Sequence, residues 1–159
     1  IWLSDFALLQ LKSLHESTGL TPWLFPATQT KKDQPDFADH VCVKTVTKQV
    51  GDRQRPGDVP MSGRSKDVDA LVLPGGKWTP HDLRRTAATT MAELGTLPDV
   101  VEKCLNHTEV GKVKRIYQRA QYEGPMREAW KLLGSRLALL QDMAHGRVTN
   151  VVPLQQRGR

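Results

Sequence analysis

The chain has 159 residues, with 23 Lys and Arg against 17 Asp and Glu, a formal net charge of +6 and a pI near 9.6. That length fits one domain able to bury its own core, and the basic balance favours a polyanionic partner over an acidic protein surface. No run is apolar for long enough to span a bilayer and no signal peptide is visible, which sets aside a membrane partner.

The sequence opens without methionine, on Ile1-Trp2-Leu3, and reads as a fragment whose first residues end a strand. Ser4 and Asp5 then suit a helix cap, and Phe6, Leu9 and Leu14 give the helix an apolar side before Gly19 stops it. Thr21-Pro22-Trp23-Leu24-Phe25-Pro26 reads as a short buried connector, and residues 28–34 as polar loop. Pro35 is expected to open a helix over residues 35–50, with Phe37, Val41, Val43, Val46 and Val50 on one face. Lys44 and Lys48 share the opposite face, where a solvated surface and contact with DNA are equally good readings. Residues 51–77, with Arg53, Arg55, Arg64 and Lys66, read as a long loop holding at best one short strand at Leu71-Val72-Leu73. Solvated disorder is the plainer reading of that loop, DNA contact the sharper one. Cys42 and Cys104 fall in helical apolar patterns and read as small core residues of a reducing compartment.

A helix starts again at Thr79. Thr79 is a good N-cap, Pro80 suits the first helical position, and Asp82 stands where a capping-box acid reaches back. Leu83, Ala87, Met91 and Leu94 form its apolar stripe, while His81 and Arg84 project from neighbouring points on its first turns. Gly95 ends it, and Pro98-Asp99 begin a helix made apolar by Val100, Val101, Cys104 and Leu105, with His107 just past its end. Residues 112–121 follow as a helix with Val113, Ile116, Tyr117 and Ala120 on one face and Lys112, Lys114, Arg115 and Arg119 around it. Residues 126–143 form the last long helix, with Ala129, Trp130, Leu133, Leu137 and Leu140 inward. The tail from Arg147 carries an apolar run at 148–154 that is too short to fold alone and is expected to pack on another surface.

His-x-x-Arg at a helix start, then Leu-x-His at a helix end, then a helical tyrosine, resembles the catalytic domain of tyrosine recombinases, the phage integrases. His81-Asp82-Leu83-Arg84-Arg85-Thr86, Ala92-Glu93-Leu94-Gly95 and Leu105-Asn106-His107 look most like the prophage type. The resemblance is specific from about Thr79 to Trp130. It implies a mainly α-helical, multi-helical catalytic domain with a small β element, here residues 1–146, followed by a tail at 147–159. It also implies a cytoplasmic, nucleoid-associated enzyme acting on double-stranded DNA as a homo-oligomer, a synaptic tetramer, with no cofactor and no metal. No residue matches the family's first catalytic arginine or its hairpin lysine, which would lie upstream, so this fragment alone is expected to be inactive.

Phosphodiester transfer without a metal needs a nucleophile, an acid for the leaving 5′ oxygen, and donors around the phosphate oxygens. By resemblance Tyr117 supplies the first, Arg84 a fork for the phosphate, and His81 and His107 the remaining donors or proton carriers. Arg85 is left as a phosphate contact. Each residue alone has a plain structural explanation: Tyr117 as core, Arg84 as a surface ion-pair partner, His81 as a satisfied helix-start imidazole, His107 as a helix-end donor. Their joint order favours the functional reading. The alternatives are a non-catalytic DNA-binding module from a degenerate integrase, and a metal-dependent phosphohydrolase using His81, Asp82 and His107, whose ligand set is thin. Type IB topoisomerases share the chemistry but not the local wording.

Overall fold

The computed structural model describes residues 2–27, 39–55, 62, 64–107 and 122–147. As expected, these are mainly helical: α1 (Asp5–Thr18), α2 (Val43–Asp52), α3 (Pro80–Glu93), α4 (Pro98–Cys104) and α5 (Glu123–Ala144). The β feature among them is an antiparallel bridge between Pro26 and His40. The Ala27 N–H donates to the Asp39 carbonyl at 2.6 Å and the Val41 N–H to the Phe25 carbonyl at 3.0 Å. Two expectations are corrected here. Trp2 and Leu3 are not in a strand. The helix predicted over 35–50 begins only at Val43, because residues 39–41 are committed to the bridge and Cys42 keeps an extended backbone (φ −61°, ψ 143°).

The chain divides into two units, Ile1–Gln10 with Thr90–Arg159, and Leu11–Thr89. In the first, α4 packs against α5. Met91, Val100, Val101, Leu105, Ala129 and Leu133 form its apolar core. Gly134 lets the chain start come close: a Cβ there would lie 2.6 Å from Ser4 Cβ. Ser4 is itself buried, and its hydroxyl accepts the Ala7 N–H at 3.3 Å, the expected cap of α1. The last helix starts earlier than predicted, since Gly124 and Pro125 sit in the first turn of α5, where a missing N–H breaks no helical bond. Its apolar stripe is shorter than predicted, with Leu137 and Leu140 38% and 43% exposed.

The second unit is held differently. Its buried side chains among the described residues are those of Asp52 and Gln54, at the end of α2. The Gln54 side chain receives the Trp78 N–H and donates to the Trp78 carbonyl, each at 2.8 Å. The Trp78 indole donates to the Leu71 carbonyl at 2.9 Å, and the Leu71 N–H to the Arg53 carbonyl at 3.0 Å. Asp52 accepts the Ser65 N–H at 3.1 Å, and Arg64 Nε stands 2.9 Å from its other oxygen. Arg55 donates to the Ser65 carbonyl, and Arg53 pairs with Asp67 at 2.8 Å. The described part of residues 51–77 is therefore a pinned loop, contrary to the solvated disorder expected. Arg53, Arg55 and Arg64 are engaged in holding it, and Leu71 to Leu73 form no strand.

Three further expectations fail for one reason, that apolar periodicity does not guarantee a partner surface. No residue of α1 is buried, and Leu9 is among its exposed side chains. Leu83 is 57% exposed, so the stripe of α3 reaches full burial only at Met91. Cys42 is exposed and Cys104 only half-buried, where burial pushes its thiol pKa up. No helix among the described residues is long and apolar enough to cross a membrane. The predicted helix at 112–121 and the tail from 148 lie outside the described residues.

Candidate active site

The start of α3 is a capping box in which the acid takes both Thr79 donors. The Thr79 N–H and hydroxyl reach Asp82 Oδ2 at 2.9 and 2.8 Å, and the Asp82 N–H donates to the Thr79 carbonyl at 3.0 Å. The Thr79 hydroxyl, then its N–H, hold the Asp82 carboxyl below its ordinary pKa, helped by the charges of Arg85 and His81. Arg85 lies 3.4 Å from Asp82 Oδ1, an exposed pair of the kind that adds little stability. Arg84 and His81 are exposed on the same turns, and neither makes a hydrogen bond or ion pair among the described residues. The helix start thus fixes the backbone beneath two polar side chains whose donors are not taken up by any of the described residues.

The end of α4 is built with equal economy. Val101 and Leu105 are buried, which fixes the helix face. Asn106 then turns left-handed (φ 53°). Its N–H donates to the Lys103 carbonyl at 3.0 Å and the His107 N–H to the Glu102 carbonyl at 3.1 Å, the paired bonds of a Schellman end. Gly95 and Gly146 close α3 and α5 with positive φ; at α4 the same task falls to Asn, one of the few side chains that tolerates it. His107 emerges from this turn with Nδ1 2.6 Å from Glu102 Oε2. Glu102 therefore holds His107 twice, by its carbonyl and by its carboxylate.

Of the predicted catalytic residues, α3 brings His81 and Arg84 together on neighbouring turns, while His107 belongs to the other unit. Tyr117, Lys112, Lys114, Arg115 and Arg119 lie outside the described residues. Lys44 and Lys48 are exposed on α2. Tyr122, the second tyrosine, caps α5: its carbonyl accepts the Met126 N–H at 2.8 Å, and Lys103 Nζ lies 5.9 Å from its ring centroid. Among the described residues no group of three His, Cys, Asp or Glu is placed to hold a metal ion.

The model of the Phage integrase family matches residues 14–124, a span containing His81, Arg84, His107 and Tyr117. The chain belongs to the phage integrase family. It is also 29% identical over 131 residues to the prophage integrase IntA of Escherichia coli (strain K12). That alignment covers 80% of this chain and 26% of the relative, so the chain spans about a quarter of that integrase's length. No solved structure matches it. The resemblance to tyrosine recombinases read from the motifs is thereby borne out. Sequence reasoning missed Glu102 and the turn made by Asn106. The available signals were an acid five residues before the histidine and an Asn directly after the last apolar residue of α4.

Proposed function

We propose that this chain is the catalytic part of an integrase that cleaves and rejoins DNA in site-specific recombination, through a 3′-phosphotyrosyl intermediate. The observation that carries the reading is the family match over residues 14–124, which holds the four chemistry-bearing residues in order. Arg84 grips two non-bridging phosphate oxygens through its guanidinium fork. His81 and His107 donate to the phosphate or move a proton. The Tyr117 oxygen forms a bond to phosphorus as the P–O5′ bond breaks, and the 5′ oxygen takes a proton and leaves as a hydroxyl. A 5′ hydroxyl of a second strand reverses the step. The phosphate bond energy is conserved in the intermediate, so no ATP and no cofactor is consumed.

Residues 1–146 form the catalytic domain in this reading and 147–159 its tail. Lys44, Lys48, Arg85, Lys112, Lys114, Arg115 and Arg119 touch the DNA backbone, positioning the duplex without reading its sequence. The working assembly is a homo-oligomer on double-stranded DNA, a synaptic tetramer, and the fragment by itself is inactive. The test uses a longer enzyme, this chain extended upstream so that the family's arginine and lysine are restored, and a nicked suicide duplex that traps covalent complexes. Tyr117→Phe abolishes the trapped species and keeps DNA binding, whereas Tyr122→Phe, altering only the cap of α5, retains it. Trapping in both variants would remove the tyrosine mechanism, and a wild type that binds but never traps would leave a DNA-binding module.

A further inference from the structure

We propose that Glu102 is a positioning residue that holds the His107 ring by Nδ1, so that Nε2 is the nitrogen that meets the scissile phosphate; this rests on the cleavage reading above. A carboxylate only accepts hydrogen bonds, so the 2.6 Å contact requires the proton to sit on Nδ1. Engagement of one ring nitrogen decides what the other does. With Nδ1 turned to Glu102, Nε2 faces outward as the lone-pair atom of the neutral ring or the remaining N–H of the charged one.

The geometry fixes the orientation from three sides. Burial of Val100, Val101 and Leu105 holds α4, and with it the point from which Glu102 projects. The left-handed Asn106 brings the chain back over the last turn. The Glu102 carbonyl then takes the His107 N–H, and its carboxylate takes the ring. The two site histidines differ in this respect, because Asp82 next to His81 is engaged by Thr79 and Arg85 rather than by an imidazole. A purely stabilising role for the Glu102 pair is weak, since its side chains are 55% and 45% exposed and such pairs add little to folding. Orientation is what the contact supplies.

The test reads the ring directly. In the 159-residue chain labelled with 15N-histidine, His107 is expected as a single tautomer protonated at Nδ1. Glu102→Ala should shift it to a mixture in which the Nε2-protonated form dominates. Glu102→Gln, whose amide oxygen still accepts, should restore the original signature, with the melting temperature unchanged in both variants. A short duplex should perturb the Nε2 resonance and leave Nδ1 in place. In the longer enzyme, Glu102→Ala should slow covalent trapping at least about tenfold, the scale on which an orienting partner acts, with duplex affinity unchanged and Glu102→Gln rescuing the rate. A wild-type His107 protonated at Nε2, or a Glu102→Ala variant with unaltered ring resonances or unaltered trapping, overturns the proposal. A wild-type enzyme that never traps DNA overturns the cleavage reading, while the ring spectra still decide what Glu102 does.

Discussion

The two units of the chain are stabilised by opposite kinds of side chain. Every buried hydrophobic residue among those described lies in the unit of residues 1–10 and 90–159, from Met91 to Leu133. The buried side chains described in the other unit are a carboxylate and an amide, Asp52 and Gln54. Apolar burial is non-directional and tolerates repacking, whereas buried polar groups must each find an aligned partner. The second unit therefore depends on a few specific contacts, and single changes there should remove a whole loop.

The sharpest way to break the contrast is to remove its polar hub. Asp52→Ala leaves Arg64 and the Ser65 N–H facing an empty position. Arg64 is 36% exposed and regains water, so the loss comes mainly from the orphaned Ser65 N–H and should be about 1–3 kcal/mol. Leu133→Ala should cost as much or more, roughly 2–5 kcal/mol, through a cavity between α4 and α5. Hydrogen exchange separates the two. Asp52→Ala should speed exchange at Ser65, Leu71 and Trp78, and Leu133→Ala at α4 and α5. Equal loss of protection throughout the chain in both variants would show that the units do not differ in this way.

That same contrast marks what could be read from the sequence. The helices, their caps at Ser4 and Thr79 and the stop at Gly95 were legible, because capping and termination are decided by a few neighbouring residues. The core of α4 was legible from the spacing of Val100, Val101 and Leu105. The pinned loop was not. Gln54 and Trp78 are 24 residues apart, and nothing local in Asp52-Arg53-Gln54-Arg55 announces that its polar groups close on Ser65, Leu71 and Trp78. The start of α2 was misplaced because the bridge from residues 25–27 to 39–41 overrides helical periodicity. At the candidate site, the motif order identified the residues, but the grip of Glu102 on His107 crosses a helix end, where helical spacing rules no longer apply.

Arginines sharpen the comparison next. Arg53 and Arg64 are tied to Asp67 and Asp52, while Arg84 makes no such pair among the described residues. Arg84→Ala in the longer enzyme should lower covalent trapping about 10²–10³-fold, the usual loss for one preorganised donor. Its unfolding free energy should change by less than roughly 0.5 kcal/mol. A destabilisation as large as that of Asp52→Ala would make Arg84 a structural residue and move it out of the site. A smaller effect is expected at Asn106. Asn106→Ala places a Cβ-bearing, non-bonding residue at φ 53° and should cost about 1 kcal/mol in urea unfolding, whereas Asn106→Gly should cost nothing or stabilise slightly. If Ala and Gly behave alike, the left-handed turn is not what ends α4.

The smallest effect belongs to Asp82, the exposed counterpart of Asp52. Its carboxyl pKa is lowered in the folded chain by the Thr79 hydroxyl and N–H, with Arg85 and His81 adding to the effect. A group whose folded pKa is depressed stabilises the fold fully above its unfolded pKa, about 3.9 for Asp, and loses that contribution as pH falls through the folded value. The stability difference between wild type and Asp82→Asn should thus be constant from neutral pH down to about pH 5. It should then shrink steadily as the wild-type carboxyl takes its proton and comes to resemble the amide. Thr79→Ala should make this pH-dependent decline smaller and complete it at higher pH, because it removes the hydroxyl that lowers the carboxyl pKa most. Urea unfolding across this range checks both variants. A difference that persists undiminished to pH 2 would mean that Asp82 acts through shape alone, and that the start of α3 is fixed by Pro80 and the backbone rather than by its charge.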